Sequence, residues 1–148
     1  MYKKILVPLD GSSAAESVLD HVRHVATAGA EVVLLRVVAK PHYDFVVSEP
    51  SLSACLDEEF TKEADEYLAR VRERLALPDG VVVSSCVIAE QGAVGGMIVD
   101  FARAAKADLV VVSAHGRTGM IGRLLGSVAE KIVHQAGVPV LIAHPART

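Results

Sequence analysis

Five short runs rich in β-branched residues, Lys4 to Leu9, Glu31 to Val38, Val81 to Ile88, Asp108 to Ser113 and Val138 to His144, each stand apart from the next by a stretch of helical period. Strict β-α-β-α-β-α-β-α-β alternation leaves few folds open. Parallel strands need crossovers, crossovers are right-handed, and the result is a doubly wound sheet with helices on both faces. The expected architecture is one α/β domain over residues 1–148 with a five-stranded parallel sheet. Its length suits one core. Hydrophobic residues are 51% of the chain and aromatics 4%, so Val, Leu, Ile and Ala carry the burial, as strands covered on both faces require.

The helical stretches supply their own boundaries. Ser13-Ala-Ala-Glu16 reads as a capping box, followed by a buried stripe of Ala14, Val18, Val22 and Val25. A second helix is expected from about Asp57 to Ala76, with Phe60, Ala64, Leu68, Val71 and Leu75 inward, ending before Pro78 and Gly80. Val94, Ile98, Phe101 and Ala105 mark the third. The fourth runs from near Ser127 to Ala136 with Val128 and Ile132 inward, and Gly137-Val-Pro139 stops it. Between them, Ala39 to Leu56 is expected to be a long irregular connection, interrupted by Pro50 and several serines.

Charge and cysteine content narrow the function. A net charge of -3 provides no general attraction to nucleic acid or to an anionic membrane, so neither partner is expected and any anion must be held locally. No apolar run approaches a membrane span and the first ten residues do not form a signal peptide, which points to the cytoplasm. Cys55 and Cys86 belong to no CxxC pair and read as reduced thiols. His21 and His24 lie one turn apart without a third ligand and read as a solvated helix face, so no metal site is expected in the protein itself.

Open parallel sheets bind ligands beyond the carboxyl ends of their strands. The first strand ends in Val7-Pro8-Leu9-Asp10-Gly11-Ser12, and the fourth in Val112-Ser113-Ala114-His115-Gly116-Arg117-Thr118-Gly119, continuing through Gly122 to Gly126-Ser127-Val128. Glycines bring a backbone close to an anion, and a helix starting near Ser127 offers unpaired amides at the positive end of its dipole, a site suited to phosphate. Two bland readings stand beside this one. Ser127-Val-Ala-Glu130 is also a capping box, and Asp10 could serve only to cap a turn. Gly119 and Gly122 read as turn residues.

Tyr2 through Ser12, the strand Val33-Leu-Leu-Arg-Val37-Val38, and the stretch Ala107 to Gly119 followed by Leu124-Leu-Gly-Ser-Val128 resemble the universal stress proteins, in order and spacing over essentially the whole chain. The resemblance implies a Rossmann-like domain of the adenine nucleotide alpha-hydrolase type. In that family's ATP-binding branch the loop reads G-x2-G-x9-G-[ST]. Gly116, Gly126 and Ser127 match it, while Ser113 occupies the first glycine position, where its β-carbon is expected to restrict the backbone and weaken binding. By the resemblance, Pro8 and Asp10 border the adenosine, the Val37 backbone meets adenine, Ser113 lies by the ribose, Gly116, Gly126, Ser127 and Val128 hold the phosphates, and Leu9 and Val112 belong to the same binding site. His115 and Arg117 would flank the phosphate channel.

The implied ligand is ATP, with Mg²⁺ held mainly by the phosphates. The implied assembly is a homodimer through Val138 to His144, a run apolar on both faces and expected at a sheet edge. The leading functional expectation is a nucleotide-binding regulatory protein of the stress response rather than an enzyme. A dimeric interaction module without nucleotide is the alternative, and a slow ATPase a lesser one. An adenylating enzyme of the pyrophosphatase type would carry S-G-G-x-D-S after its first strand, but Asp10-Gly-Ser-Ser-Ala-Ala stands there, and no Walker, G-x-S-x-G or H-E-x-x-H signature occurs.

Overall fold

A computed structural model describes residues 1–40, 50–116 and 125–145, the side chains of 50–53 excepted. Its elements are β1 (Lys4–Leu9), α1 (Ser13–Glu16), α2 (Val18–Val25), β2 (Glu31–Ala39), α3 (Pro50–Arg74), β3 (Val82–Glu90), α4 (Val94–Ala104), β4 (Leu109–Ser113), α5 (Ser127–Gln135) and β5 (Val140–Ala143). All pairings are parallel and the order across the sheet is β3-β2-β1-β4-β5. The doubly wound α/β architecture expected from the alternation is therefore the one observed.

Because the chain winds outward from β1 to β3 and then returns to place β4 on β1's other side, the first two crossovers cover one face of the sheet and the last two cover the other. One core cluster joins Ile5, Val7 and Leu34 of the sheet to Val18 and Val22 of α2 and Leu68 and Val71 of α3. The other joins Leu6, Leu35 and Val110 to Ile98 and Val99 of α4 and Ile132 of α5. The two sets alternate along each strand, as side chains on a pleated sheet must.

Three local expectations are corrected. Ser12, not Ser13, caps α1: its hydroxyl accepts the Ala15 amide at 3.1 Å, and Glu16 reaches across to α3 instead of back to a cap. The first crossover is also two helices, because the Ser17 hydroxyl and amide both turn back to the Ala14 carbonyl and break the run. Ala15 and Leu19 rather than Ala14 join Val18 and Val22 in the core.

The α3 helix starts at Pro50, not near Asp57. Proline is compatible with a first helical turn, where its missing N–H would have no partner and its fixed φ suits the helix. Of the expected irregular connection, 41–49 lie outside the described residues. Phe60, read from periodicity as core, is 40% exposed, whereas Ala64, Leu68, Val71 and Leu75 are buried as expected.

The α4–α5 contact positions the start of α5 and depends on Gly95. A β-carbon there would lie 2.9 Å from Lys131 Cβ and 3.0 Å from Lys131 Cγ, the root of that side chain rather than its mobile end. Gly96 faces open space on the same helix. Gly96→Ala is therefore expected to stabilise the protein by roughly 0.5–1 kcal/mol through helix propensity alone. Gly95→Ala is expected to destabilise by about 1–2 kcal/mol, since displacement of α5 outweighs the same propensity gain. Urea unfolding of the two variants separates these outcomes.

Candidate functional site

A crevice opens where the strand order reverses. The β1–β4 pairing comprises Ile5↔Leu109 and Leu6↔Val110, whereas β1 continues to pair with β2 as far as Leu9↔Arg36. Beyond Leu6 the two central strands part. On the other side of β1, β2 runs on to Ala39 against β3, so its last residues, Val37 to Ala39, have no strand partner on the β1 side. Backbone groups of β2 thus face the crevice.

The resulting cavity, about 790 Å³, is lined by the tips of β1, β2 and β4, the loop after β4, the start of α5 and parts of α3 and α4. Pro8, Leu9, Asp10, Val37, Val112, Ser113, His115, Gly116, Gly126, Ser127 and Val128 all lie on its wall. Arg117, with Gly119 and Gly122, lies outside the described residues. Among the expected site residues that are described, none falls elsewhere.

The turn after β1 is built around Asp10. Its Oδ1 accepts both the amide and the hydroxyl of Ser12, at 2.9 and 2.5 Å. Gly11 bridges them at φ 85°, a conformation costly for any residue with a β-carbon. The loop after β4 closes down on this carboxylate, for a β-carbon at Gly116 would sit 2.6 Å from Asp10 Oδ2. A glycine at 116 therefore lets backbone lie where a side chain would collide. Asp10 does cap a turn, and it also borders the cavity.

At the other rim, the Gly126 amide donates to the Ala114 carbonyl at 2.7 Å, tying the start of α5 to the tip of β4. Gly126 is the N-cap, with extended φ −72° and ψ 164° that any residue adopts; its constraint is the Ala114 carbonyl, 3.3 Å from where a β-carbon would be. Its amide is thus engaged, and the first-turn amides of Ser127, Val128 and Ala129 are the ones without an intrahelical partner.

Two expectations change here. Ser127 does not cap α5: it is the first helical residue, exposed, one position past the cap. Ser113 does not strain its backbone either. It is the last residue of β4, paired with Ala143, and is 6% exposed, with its hydroxyl accepting the His115 amide at 3.4 Å. A β-carbon is at home in a strand. His115 lies edge-on to His144, ring centroids 6.4 Å apart.

Residues of α3 on the wall were missed from sequence. Phe60, Glu63, Ala64, Tyr67 and Arg70 line the cavity, together with Arg36 of β2. The available signal was a stripe at 60, 63, 67 and 70, beside the buried stripe of the same helix. Tyr67 donates to Glu16 Oε1 at 3.1 Å, and Arg74 holds Glu16 Oε2 at 3.0 Å, pinning α1 to α3. Burial, reinforced by the facing Glu16 carboxylate, pushes the Tyr67 phenol above its ordinary range, so it remains a donor. Among the described residues no three His, Cys, Asp or Glu side chains are grouped to hold a metal, and no helix is long and apolar enough to cross a membrane.

Comparison with known proteins places this architecture in a family. Universal stress protein MJ0531 of Methanocaldococcus jannaschii is 34% identical over 96% of this chain and 82% of its own length. The solved structure of MJ0577, from the same organism, superposes with a TM-score of 0.86 at 30% identity, covering 100% of this chain and 99% of the other. Two more distant structures share the fold: a universal stress protein in complex with cAMP, at 23% identity and TM-score 0.61, and an Arabidopsis thaliana family member with AMP bound, at 17% and 0.56. The model of the universal stress protein family matches residues 1–144, so that this chain, with its reversed strand order and its cavity at the reversal, belongs to the universal stress protein family.

Proposed function

We propose that the cavity binds an adenine nucleotide, ATP in particular, and that the protein is a nucleotide-responsive regulator of the stress response. The observation that carries the reading is the convergence, on one cavity, of three kinds of group that a nucleotide needs. The open backbone edge of β2 past Arg36 suits the hydrogen-bonding edge of adenine. Asp10 stands at the next strand tip, toward the ribose. The first-turn amides of α5, with the Ser127 hydroxyl exposed beside them, suit phosphates. Pro8, Leu9, Val112 and Ser113 supply the walls between, and His115 and Arg117 flank the phosphate end. The relatives solved with cAMP and AMP hold adenine nucleotides on the same fold, which supports this ligand class.

With no acidic cluster among the described residues to bind a metal directly, Mg²⁺ would be carried mainly by the phosphates. No general base is assigned, and the reading is of a sensor in which occupancy changes the surrounding loops. The half-exposed β5, at the sheet edge, supports the homodimer, since its unpaired side can add the same strand of a second copy.

Mass spectrometry of nucleotide carried through purification, followed by calorimetric titration, tests the ligand. ATP is expected to bind more tightly than GTP, and equal affinities would remove the β2 edge from the site. Gly126→Val should weaken ATP at least tenfold, about 1.4 kcal/mol, by forcing α5 away from the Ala114 carbonyl. Ser127→Ala should cost less, and Ser113→Gly should leave affinity unchanged or improve it. A folded Gly126→Val protein that binds ATP like the parent would favour the interaction module that binds no nucleotide.

Assembly is tested separately. Sedimentation at micromolar concentration is expected to give a dimer, and Ile142→Lys should shift it toward monomer. A monomer throughout that range would overturn the β5 pairing.

A further inference from the structure

The cavity is wider than the site just proposed, and it reaches both faces of the sheet. Val37, Val112, Val94 and Val128 belong to the α4–α5 side. Leu9, Ala15 and Tyr67 belong to the opposite core, under α3. Alternation along β2 separates the two compartments, because Val37 points to the α4–α5 face and its neighbour Arg36 therefore points to the α3 face. The adenine nucleotide reading uses the first and touches the second only at its edge, Leu9. Beyond Leu9 the second keeps an apolar floor at Ala15 and a polar wall of Arg36, Tyr67 and Arg70.

We infer that the α3-side compartment is a second binding site, for a small monoanion with an apolar body, such as an aromatic or short aliphatic carboxylate. Arg70 makes no hydrogen bond or ion pair through its guanidinium with the described residues, although it lines the cavity. Phe60 turns 40% of its surface outward at the other end of the wall, where an apolar ligand body would cover it. Charge sets the limit on the ligand. Glu16 is already matched by Arg74 and Tyr67, but Glu63 stands on the same wall, one turn from Tyr67. Arg36 already has a partner of its own, and the Glu63 carboxylate opposes multiply charged ligands, which leaves Arg70 for one anionic group. A guanidinium suits a carboxylate through paired N–H donors.

The test is an amide-resolved NMR titration of the whole chain with sodium benzoate, at constant ionic strength, with benzyl alcohol as the neutral counterpart. Benzoate is expected to saturate in the millimolar range, as befits so small a ligand, and to shift amides between Phe60 and Arg70. Benzyl alcohol should bind at least fivefold more weakly. Arg70→Gln should weaken benzoate at least fivefold while leaving the calorimetric affinity for ATP unchanged, and Phe60→Ala should weaken benzoate and benzyl alcohol alike. Both side chains are at the surface, so neither change threatens the core. Failure of benzoate to saturate, or insensitivity to Arg70→Gln, would overturn the site. Displacement of benzoate by ATP, with shifts at Val37 and Val128 instead, would also overturn it by assigning the anion to the nucleotide compartment. Benzoate binding stands or falls independently of whether ATP binds.

Discussion

The pairing of β4 with β1 is the contact on which the rest of the molecule depends. It joins segments about a hundred residues apart, and the chain secures it at one end only. The Asp108 carboxylate accepts the amides of Lys3 and Lys4 at 2.8 and 2.9 Å, and the Asp108 amide donates to the Lys4 carbonyl at 2.9 Å. Two residue pairs later the strands diverge. A clamp at the base and divergence at the tip together give the sheet its crevice. Had β4 instead added beside β3, the winding would not reverse, all crossovers would cover one face, and no such opening would exist.

On the α4–α5 side of that crevice Val37, Val112 and Val128 form apolar walls, and a few small or polar residues set the positions of the backbone around them. Ser12 is held by Asp10 and in turn caps α1; Gly116 allows the chain leaving β4 to press on the same carboxylate. The Gly126 amide ties α5 to β4, and Gly95 lets α4 approach α5 from behind. Each glycine matters because of a neighbour within about 3.3 Å of the β-carbon it lacks. The helix dipole and the open amides of α5 are thereby aimed at the cavity without any cationic side chain among the described residues at that helix start. The α3 side is organised differently, by long polar side chains of one helix laid over an apolar floor.

Much of this was legible in the residues. Alternating β-branched runs and 3.6-residue stripes determined the element order, and element order with right-handed crossovers determined a parallel, doubly wound sheet. Spacing between Gly116, Gly126 and Ser127 marked the loop and helix start that meet at the cavity. Local hydrogen bonding was less legible. Ser12 and Ser13 are equivalent candidates for a cap until the Asp10 turn selects the first, and Ser17 resembles any helical serine until its hydroxyl turns back on Ala14.

What the sequence alone determined was therefore the class of fold and the strand ends at which chemistry gathers, because periodicity and glycine spacing are properties of neighbouring residues. Only the tertiary structure decided which amide of the glycine loop is already taken, that Ser113 lies comfortably in a strand, and that Phe60, Tyr67 and Arg70 share a cavity with Asp10. Those facts depend on how far α3 extends over the sheet and on where β1 and β4 part. Both are settled by contacts between segments distant along the chain, whose register no local pattern records.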